Sequence, residues 1–255
     1  MIYGLHLSAQ GARTQSSRLD VIANNLANAS TTGFKRSFAV FQDHKPYDVE
    51  HGVLSPVPGD LNESTGGTTV AGVFTNHESG PLNQTGAPLD VAVVGDGFLK
   101  VQSPSGETFL TRNGNFTTNS NGELTVGNTG YKVLGTGGEP LVFAPGGGEI
   151  HIADDGTISQ SVEGARTVIG RLALVKPASE NALRPVGRAM YQSNSSETPL
   201  TNARVKQGFL ESSGVKPVME MLSMIEASRA FETNINMMKF QDEALSRLLQ
   251  GVTPR

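Results

Sequence analysis

The chain has 255 residues, with 30 Gly, 13 Pro, no Cys, no Trp and a net charge of −4. That length permits one large domain or two modest ones, and 37% hydrophobic residues is low for a single compact enzyme core. The mild acidity argues against nucleic acid as the main partner, because phosphate binding normally shows as a basic excess. The lack of cysteine removes disulfide and thiol chemistry and fits an oxidising or extracytoplasmic site.

The first residues, MIYGLHLSAQGARTQ, lack a basic start, an apolar run and a cleavage motif. No stretch approaches the ~20 apolar residues that span a bilayer. The expectation is a chain that stays in the cytoplasm or leaves by a route that reads no cleaved signal. Alternating steps of three and four pick out Ile2, Leu5, Ala9, Ala12, Ser16, Leu19, Ala23 and Leu26. All but Ser16 are apolar, which predicts an amphipathic helix with a heptad stripe.

Its last turns read NNLANASTTGFKR, residues 24–36. Asparagine is a mediocre helix former, so three of them at a helix end need a reason. Residues 37–79 include HGVLSPVPGDLNESTGGTTVAG, rich in Gly, Pro, Ser and Thr. They read as an extended connector.

Next the hydrophobic period changes to two. LDVAVVGDGFLKVQ (89–102), ETFLTR (107–112), ELTVG (123–127), YKVL (131–134), EIHIA (149–153) and TVIGRLALVK (167–176) read as strands. Pro104-Ser105-Gly106, Asn121-Gly122 and Asp155-Gly156 supply the turns. The spacing predicts an antiparallel β domain over residues 80–210. Pro217 then opens a second helix. Its stripe includes Met221, Met224, Phe231, Ile235, Met238 and Leu245, widened by Val218, Leu222, Ile225 and Leu248. Gly251 and Pro254 are expected to end it.

The fold class is therefore α+β. Long N- and C-terminal helices pair as an antiparallel coiled coil, and a central antiparallel β domain lies between them in sequence. The segments are an N-terminal helix (1–36), the connector (37–79), the β domain (80–210) and a C-terminal helix (211–255). Two helices alone leave much of so wide a stripe in water, which predicts further helices from other chains.

No catalytic constellation emerges. The sequence has no G-x-x-x-x-G-K loop, no H-E-x-x-H and no G-x-S-x-G. Gly95-Asp96-Gly97 lacks a third glycine and a following helix, so a tight turn is expected. His6, His44, His51, His77 and His151 have no zinc-ligand spacing. Asp154-Asp155-Gly156 lacks the bidentate glutamate of a calcium loop and reads as a hairpin tip. His151 alternates with Ile150 and Ile152, which puts it on a solvated strand face. No catalytic residue, metal or cofactor is assigned.

Three separated motifs carry a resemblance. ANNLANASTTGFKR (Ala23 to Arg36) resembles the N-terminal signature of the bacterial flagellar rod and hook proteins. LDVAVVGDGFLKVQ with FLTRNGNFTTNSNGEL resembles their central motif, and GFLESSGVKPVMEMLSMIEASRAFE (Gly208 to Glu232) their C-terminal one. HIADDGTIS, IGRLALVK and Lys216-Pro217-Val218 are most similar to the proximal-rod protein, with the distal-rod protein as the close alternative. The family often has Asn where Gly214 stands, and many distal-rod relatives have Asn where Lys216 stands, so the cap of the second helix is weaker here.

The resemblance implies a non-enzymatic axial subunit of the basal-body rod, which spans the periplasm. Its helical termini would line an inner tube and its β domain would lie outside. Export unfolded through the flagellum-specific apparatus, with the N-terminus kept, would account for the missing signal. The implied partners are like subunits, other rod and hook axial proteins and the export apparatus, with no nucleic acid and no membrane insertion. The expected assembly interface comprises Leu5, Leu19, Asn24, Asn25, Leu26, Asn28, Leu222, Ile225, Phe231, Ile235, Met238 and Leu245. Asn24, Asn25 and Asn28 are expected to fix register between chains, and Gly33 to take a left-handed conformation where the chain leaves the helix. A secreted stalked adhesin or capping protein is the second reading, and a β-rich periplasmic enzyme with a scattered site is the third. Copy number and geometry separate the first two, and a hydrolase screen tests the third.

Overall fold

The computed structural model describes residues 2–43, 67–162, 164–200 and 203–252. They form two compact units. The first unit holds α1 (Ile2–Ala27), β1 (Ser37–Asp43), β2 (Thr68–Thr75) and α2 (Pro217–Val252). At ~1.5 Å per residue the helices run about 39 and about 54 Å. Pro217 takes the first helical position, where its missing N–H costs nothing, and Glu220 adds a negative charge to the first turn. α2 runs to Val252, between the Gly251 and Pro254 expected to stop it.

The helices run antiparallel. Gly4 lies beside Gln241, Gly11 beside Asn234, and Asn25 beside Glu220. Another side of α1 meets the β1–β2 pair, where the Thr14 hydroxyl donates to the Thr68 carbonyl at 2.9 Å.

That pair corrects the connector reading at both of its ends. SFAVFQD and TTVAGVFT pair antiparallel, with a register shift between Val40 and Phe41. Their aromatic and β-branched residues suit a pleated, half-buried surface better than coil. Phe38 and Phe74, directly opposite in the register, stack with centroids 6.2 Å apart. The rest of the connector, residues 44–66, lies outside the described residues.

The second unit holds residues 28–36 and 77–215. Its strands are β3 (Leu82–Gln84), β4 (Val91–Val94), β5 (Phe98–Gln102), β6 (Thr108–Thr111), β7 (Phe116–Thr118), β8 (Leu124–Val126), β9 (Lys132–Val133), β10 (Ile150–Ile152), β11 (Thr157–Val162), β12 (Ala165–Arg171), β13 (Leu174–Pro177), β14 (Leu183–Gly187), β15 (Met190–Ser193), β16 (Glu197–Pro199), β17 (Arg204–Gln207) and β18 (Phe209–Glu211). The principal sheet runs β14-β15-β6-β5-β9-β8-β7, with β13 joining β5 to β16. β10, β11 and β12 form a second sheet, and β4–β17 and β3–β18 are separate pairs. All pairings are antiparallel.

The core gathers Val91, Leu99, Val101, Leu124, Val126, Val133 and Ile158, each without exposed surface. Gly95-Asp96-Gly97 is a turn between β4 and β5, as its sequence suggested. Asp155 tips the β10–β11 hairpin, where its carboxylate accepts from the Thr157 N–H and hydroxyl. His151 is exposed between partly buried Ile150 and buried Ile152.

Candidate assembly interface and its buried anchor

α1 ends at Ala27, and the three asparagines around that end differ in burial. Asn25 is completely buried. Its Nδ2 donates to the Ser37 carbonyl at 2.7 Å and to Glu220 Oε2 at 3.3 Å, and its Oδ1 accepts the Ser37 N–H at 2.9 Å. The side chain thus imitates a strand partner at the start of β1 while gripping the first turn of α2. Within the chain, then, the Asn25 amide that the sequence suggested for a contact between chains is used by Ser37 and Glu220.

Asn28 is half-buried, and its Oδ1 accepts the Thr31 hydroxyl at 3.2 Å in a local turn. Asn24 is exposed. Gly33 does take a left-handed conformation, with φ +67°, but six residues beyond the helix end. A Cβ there would lie 2.5 Å from the Arg112 carbonyl carbon, so close approach of two backbones is the second reason for glycine.

On α1, Leu5, Leu19 and Leu26 are half-buried, while Ser16 and Ala23 are exposed. The close contacts with α2 fall at Gly4, Gly11 and Asn25, a heptad line one residue N-terminal to the apolar stripe read from sequence. On α2, half-buried Phe231, Ile235, Met238 and Leu245 flank the seam. Leu222 and Ile225 do not join them: they are 53% and 51% exposed. With Val218, at 68% exposed, they lie on the side of α2 opposite Glu220, and Phe240, further along, is 67% exposed. The inward side of α2 thus mixes Glu220, Asn234 and Gln241 with half-buried Phe231, Ile235, Met238 and Leu245, while its first turns leave Val218, Leu222 and Ile225 exposed. Apolar side chains left exposed on a helix are a surface that another chain can cover.

The β unit holds a cluster that sequence reasoning passed over. Lys35, Arg112 and Glu211 are among its most deeply buried side chains, with 1%, 2% and 1% of their surface exposed. Lys35 Nζ donates to Glu211 Oε1 at 2.6 Å and to the Glu78 carbonyl at 2.7 Å. Arg112 donates to Glu211 Oε2 at 3.4 Å and to the Gly95 carbonyl at 2.7 Å, and its guanidinium sits 5.0 Å from the Phe98 centroid. The Gly80 N–H donates to Glu211 Oε1 at 2.7 Å. Backbone bonds from Gly33 N–H to the Glu211 carbonyl and from Gly214 N–H to the Phe34 carbonyl tie the same segments together.

One carboxylate thus serves two cations. Burial, opposed by the bond to Glu211, holds the Lys35 ammonium below its ordinary pKa. The available sign was that Lys35, Arg112 and Glu211 all stand inside the three motifs, in GFKR, FLTRNG and GFLESS. Nothing in their spacing reveals that they meet.

His77 stacks edge-on against Phe98 and Tyr191, with centroids 5.7 and 5.3 Å away. Burial, and then the charges of Lys35 and Arg112, lower its pKa from 6.5 to about 4. Between those values the unfolded chain binds a proton that the folded chain refuses. This part of the stability is whole above pH 6.5 and is lost as the pH falls to about 4. The His77→Phe variant should therefore lose less stability than the wild type when urea unfolding is repeated at pH 4.5 instead of 7.5. Equal losses in the two proteins would contradict a neutral, half-buried His77.

The motifs around these two sites match described families. Flagella basal body rod protein matches residues 5–35, flagellar hook protein FlgE/F/G D1 domain residues 92–160, and flagellar basal body rod FlgEFG protein C-terminal residues 206–251. The chain is 37% identical over 238 residues to the flagellar basal-body rod protein FlgF of Caulobacter vibrioides, covering 92% of this chain and 91% of that protein. It is 36% identical over 265 residues to FlgG of Buchnera aphidicola subsp. Acyrthosiphon pisum, covering 98% and 100%. It is 30% identical over 262 residues to FlgG of Bacillus subtilis, covering 98% of each.

The chain belongs to the flagellar basal-body rod protein family.

Membership makes it a structural subunit of the rod in the basal body of the flagellum. Relatives named FlgF and FlgG match at similar identity, so membership is of the rod family as a whole. Each matched segment supplies one ion of the buried cluster: Lys35 from the first, Arg112 from the second and Glu211 from the third. The rod motifs are thus where distant parts of the chain meet.

Proposed function

We propose that this rod protein is a non-enzymatic axial subunit that assembles with like subunits and with other rod and hook proteins, and so carries torque from motor to hook. The observation that carries the reading is the exposed apolar residues of α2, Val218, Leu222 and Ile225 in its first turns and Phe240 further along, all at least half exposed. α1 and α2 act as a coiled coil within that assembly, and the contacts between copies are head-to-tail, the arrangement that builds an open helix when its rotation does not close. The chain is exported unfolded through the flagellar apparatus. The proximal rod is its proposed place, on the likeness of HIADDGTIS, IGRLALVK and Lys216-Pro217-Val218.

The test is deletion and complementation in a flagellated host that carries this chain. Loss of the chain should leave basal bodies with interrupted rods under the electron microscope, and a plasmid copy should restore them. Full-length rods in the deletion strain would overturn the reading.

A second expectation concerns the isolated chain. The closest line of the α1–α2 seam carries glycines and amides, the large apolar residues beside it are only half-buried, and a helix with little packing is marginal in water. Limited proteolysis of purified protein should trim residues 1–27 and 216–252 first and leave a resistant fragment built on residues 77–215. Termini that resist protease as long as the β unit would contradict it.

A further inference from the structure

We propose that the α1–α2 pair carries a two-part register lock. Glycine notches at Gly4 and Gly11 set its phase, and the Asn25–Glu220–Ser37 clamp decides which heptad is used. The pairs of the seam are Gly4 with Gln241, Gly11 with Asn234 and Asn25 with Glu220. Successive positions on each helix are multiples of seven apart. The same register brings Arg18 level with Ala227, whose side chain is completely buried.

At the first two levels an amide side chain fills the space that a Cβ would occupy. A Cβ on Gly4 would lie 2.9 Å from Gln241 Nε2, and one on Gly11 would lie 2.8 Å from Asn234 Oδ1 and 3.1 Å from its Cγ. Asn234 cannot swing away freely, because its Nδ2 donates to the Ala230 carbonyl at 2.9 Å. Rotating or sliding α2 by less than a heptad would drive these amides into side chains instead of notches.

The notches repeat every seven residues, so they cannot tell one heptad from the next. A slip of one heptad in one direction sets Gly11 against Gln241, which still fits, but sets Asn25 against Ala227. Glu220, 2% exposed, would then lose the amide donor that faces it. The opposite slip carries Asn25 past the N-terminal end of α2. Only the observed register gives the buried carboxylate its asparagine while Ser37 holds the other edge of that amide. The line is polar because it must be specific, and the strength of the pair is left to the apolar residues that flank it.

The chain has no cysteine, so disulfide trapping reads register without background. Arg18→Cys with Ala227→Cys should cross-link on mild oxidation, both in purified protein and in isolated basal bodies. Adding Asn25→Leu and Glu220→Leu, which keep the helices and raise apolarity, should lower the yield about tenfold, as loss of one hydrogen bond to a charged group implies. Gly11→Ala should also lower it, although alanine is the better helix former, and Asn234→Ala should restore it. Unchanged yield in the double leucine variant, or a gain with Gly11→Ala alone, would overturn the lock. The inference rests on the rod reading only for the basal-body measurement. Absence of the chain from basal bodies would sink that reading, while the purified protein would still decide the register.

Discussion

Glu211→Gln should destabilise the β unit by about 3–5 kcal/mol, the usual cost of removing one partner of a buried ion pair. The amide can still accept from Gly80 N–H, but it no longer balances Lys35 and Arg112, whose charges would be left facing each other with 1% and 2% of their surface exposed. A domain of this kind has only about 5–15 kcal/mol in total, so the variant should unfold at far lower urea and express poorly. The control is Lys176→Met, which breaks a pair with Asp96 in which the two side chains are 45% and 72% exposed. An exposed pair of that sort contributes about 0–1 kcal/mol. Urea unfolding of the full chain, followed by circular dichroism, measures both. A Glu211→Gln midpoint no further from wild type than that of Lys176→Met would mean that the cluster is solvated and not an anchor.

The variant with Leu222→Asp and Ile225→Asp should behave in the opposite way, with near-normal folding and no swimming. Both side chains are about half exposed in the single chain, so the carboxylates meet water there and the urea midpoint should move by no more than about 0.5 kcal/mol in stability. If other subunits cover that face, the same carboxylates are buried unpaired, at several kcal/mol each, repeated at every copy in the rod. Leu26→Asp and Ile235→Asp should also stop motility, but they are half-buried within the chain and would loosen the helices as well. The exposed pair is therefore the cleaner probe of assembly. Normal swimming with Leu222→Asp and Ile225→Asp would show that this face of α2 stays in water, and the proposed interface would have to move elsewhere.

Much of the molecule was legible before any coordinates, because local physics fixed it. The heptad recurrence of apolar residues around Leu5, Leu19 and Leu26 called for a helix, and Pro217 marked the start of the other. Alternation in LDVAVV and FLKVQ called for strands, and Gly95, Gly122 and Gly156 marked turns at positions that do have positive φ. The three motifs named the family. The short strands β7, β14, β16 and β18 escaped because three to five residues show too little periodicity. β1 and β2 escaped because Gly, Pro and Ser between them masked two good strand sequences.

What only the tertiary structure decided is which residues far apart in sequence meet, since pairing across 176 residues between Lys35 and Glu211, or 195 between Asn25 and Glu220, leaves no local trace. A periodic stripe tells that a helix has an apolar side, but it does not tell which partner takes that side. In α2 the line closest to α1 carries amides and a carboxylate beside half-buried apolar residues while Val218, Leu222 and Ile225 stay exposed, and the three asparagines around the end of α1 are exposed, buried and half-buried in turn. The physical reason is that burial belongs to the fold: a charge such as Lys35 or Glu211 can lie inside only where the chain has first brought its counterpart.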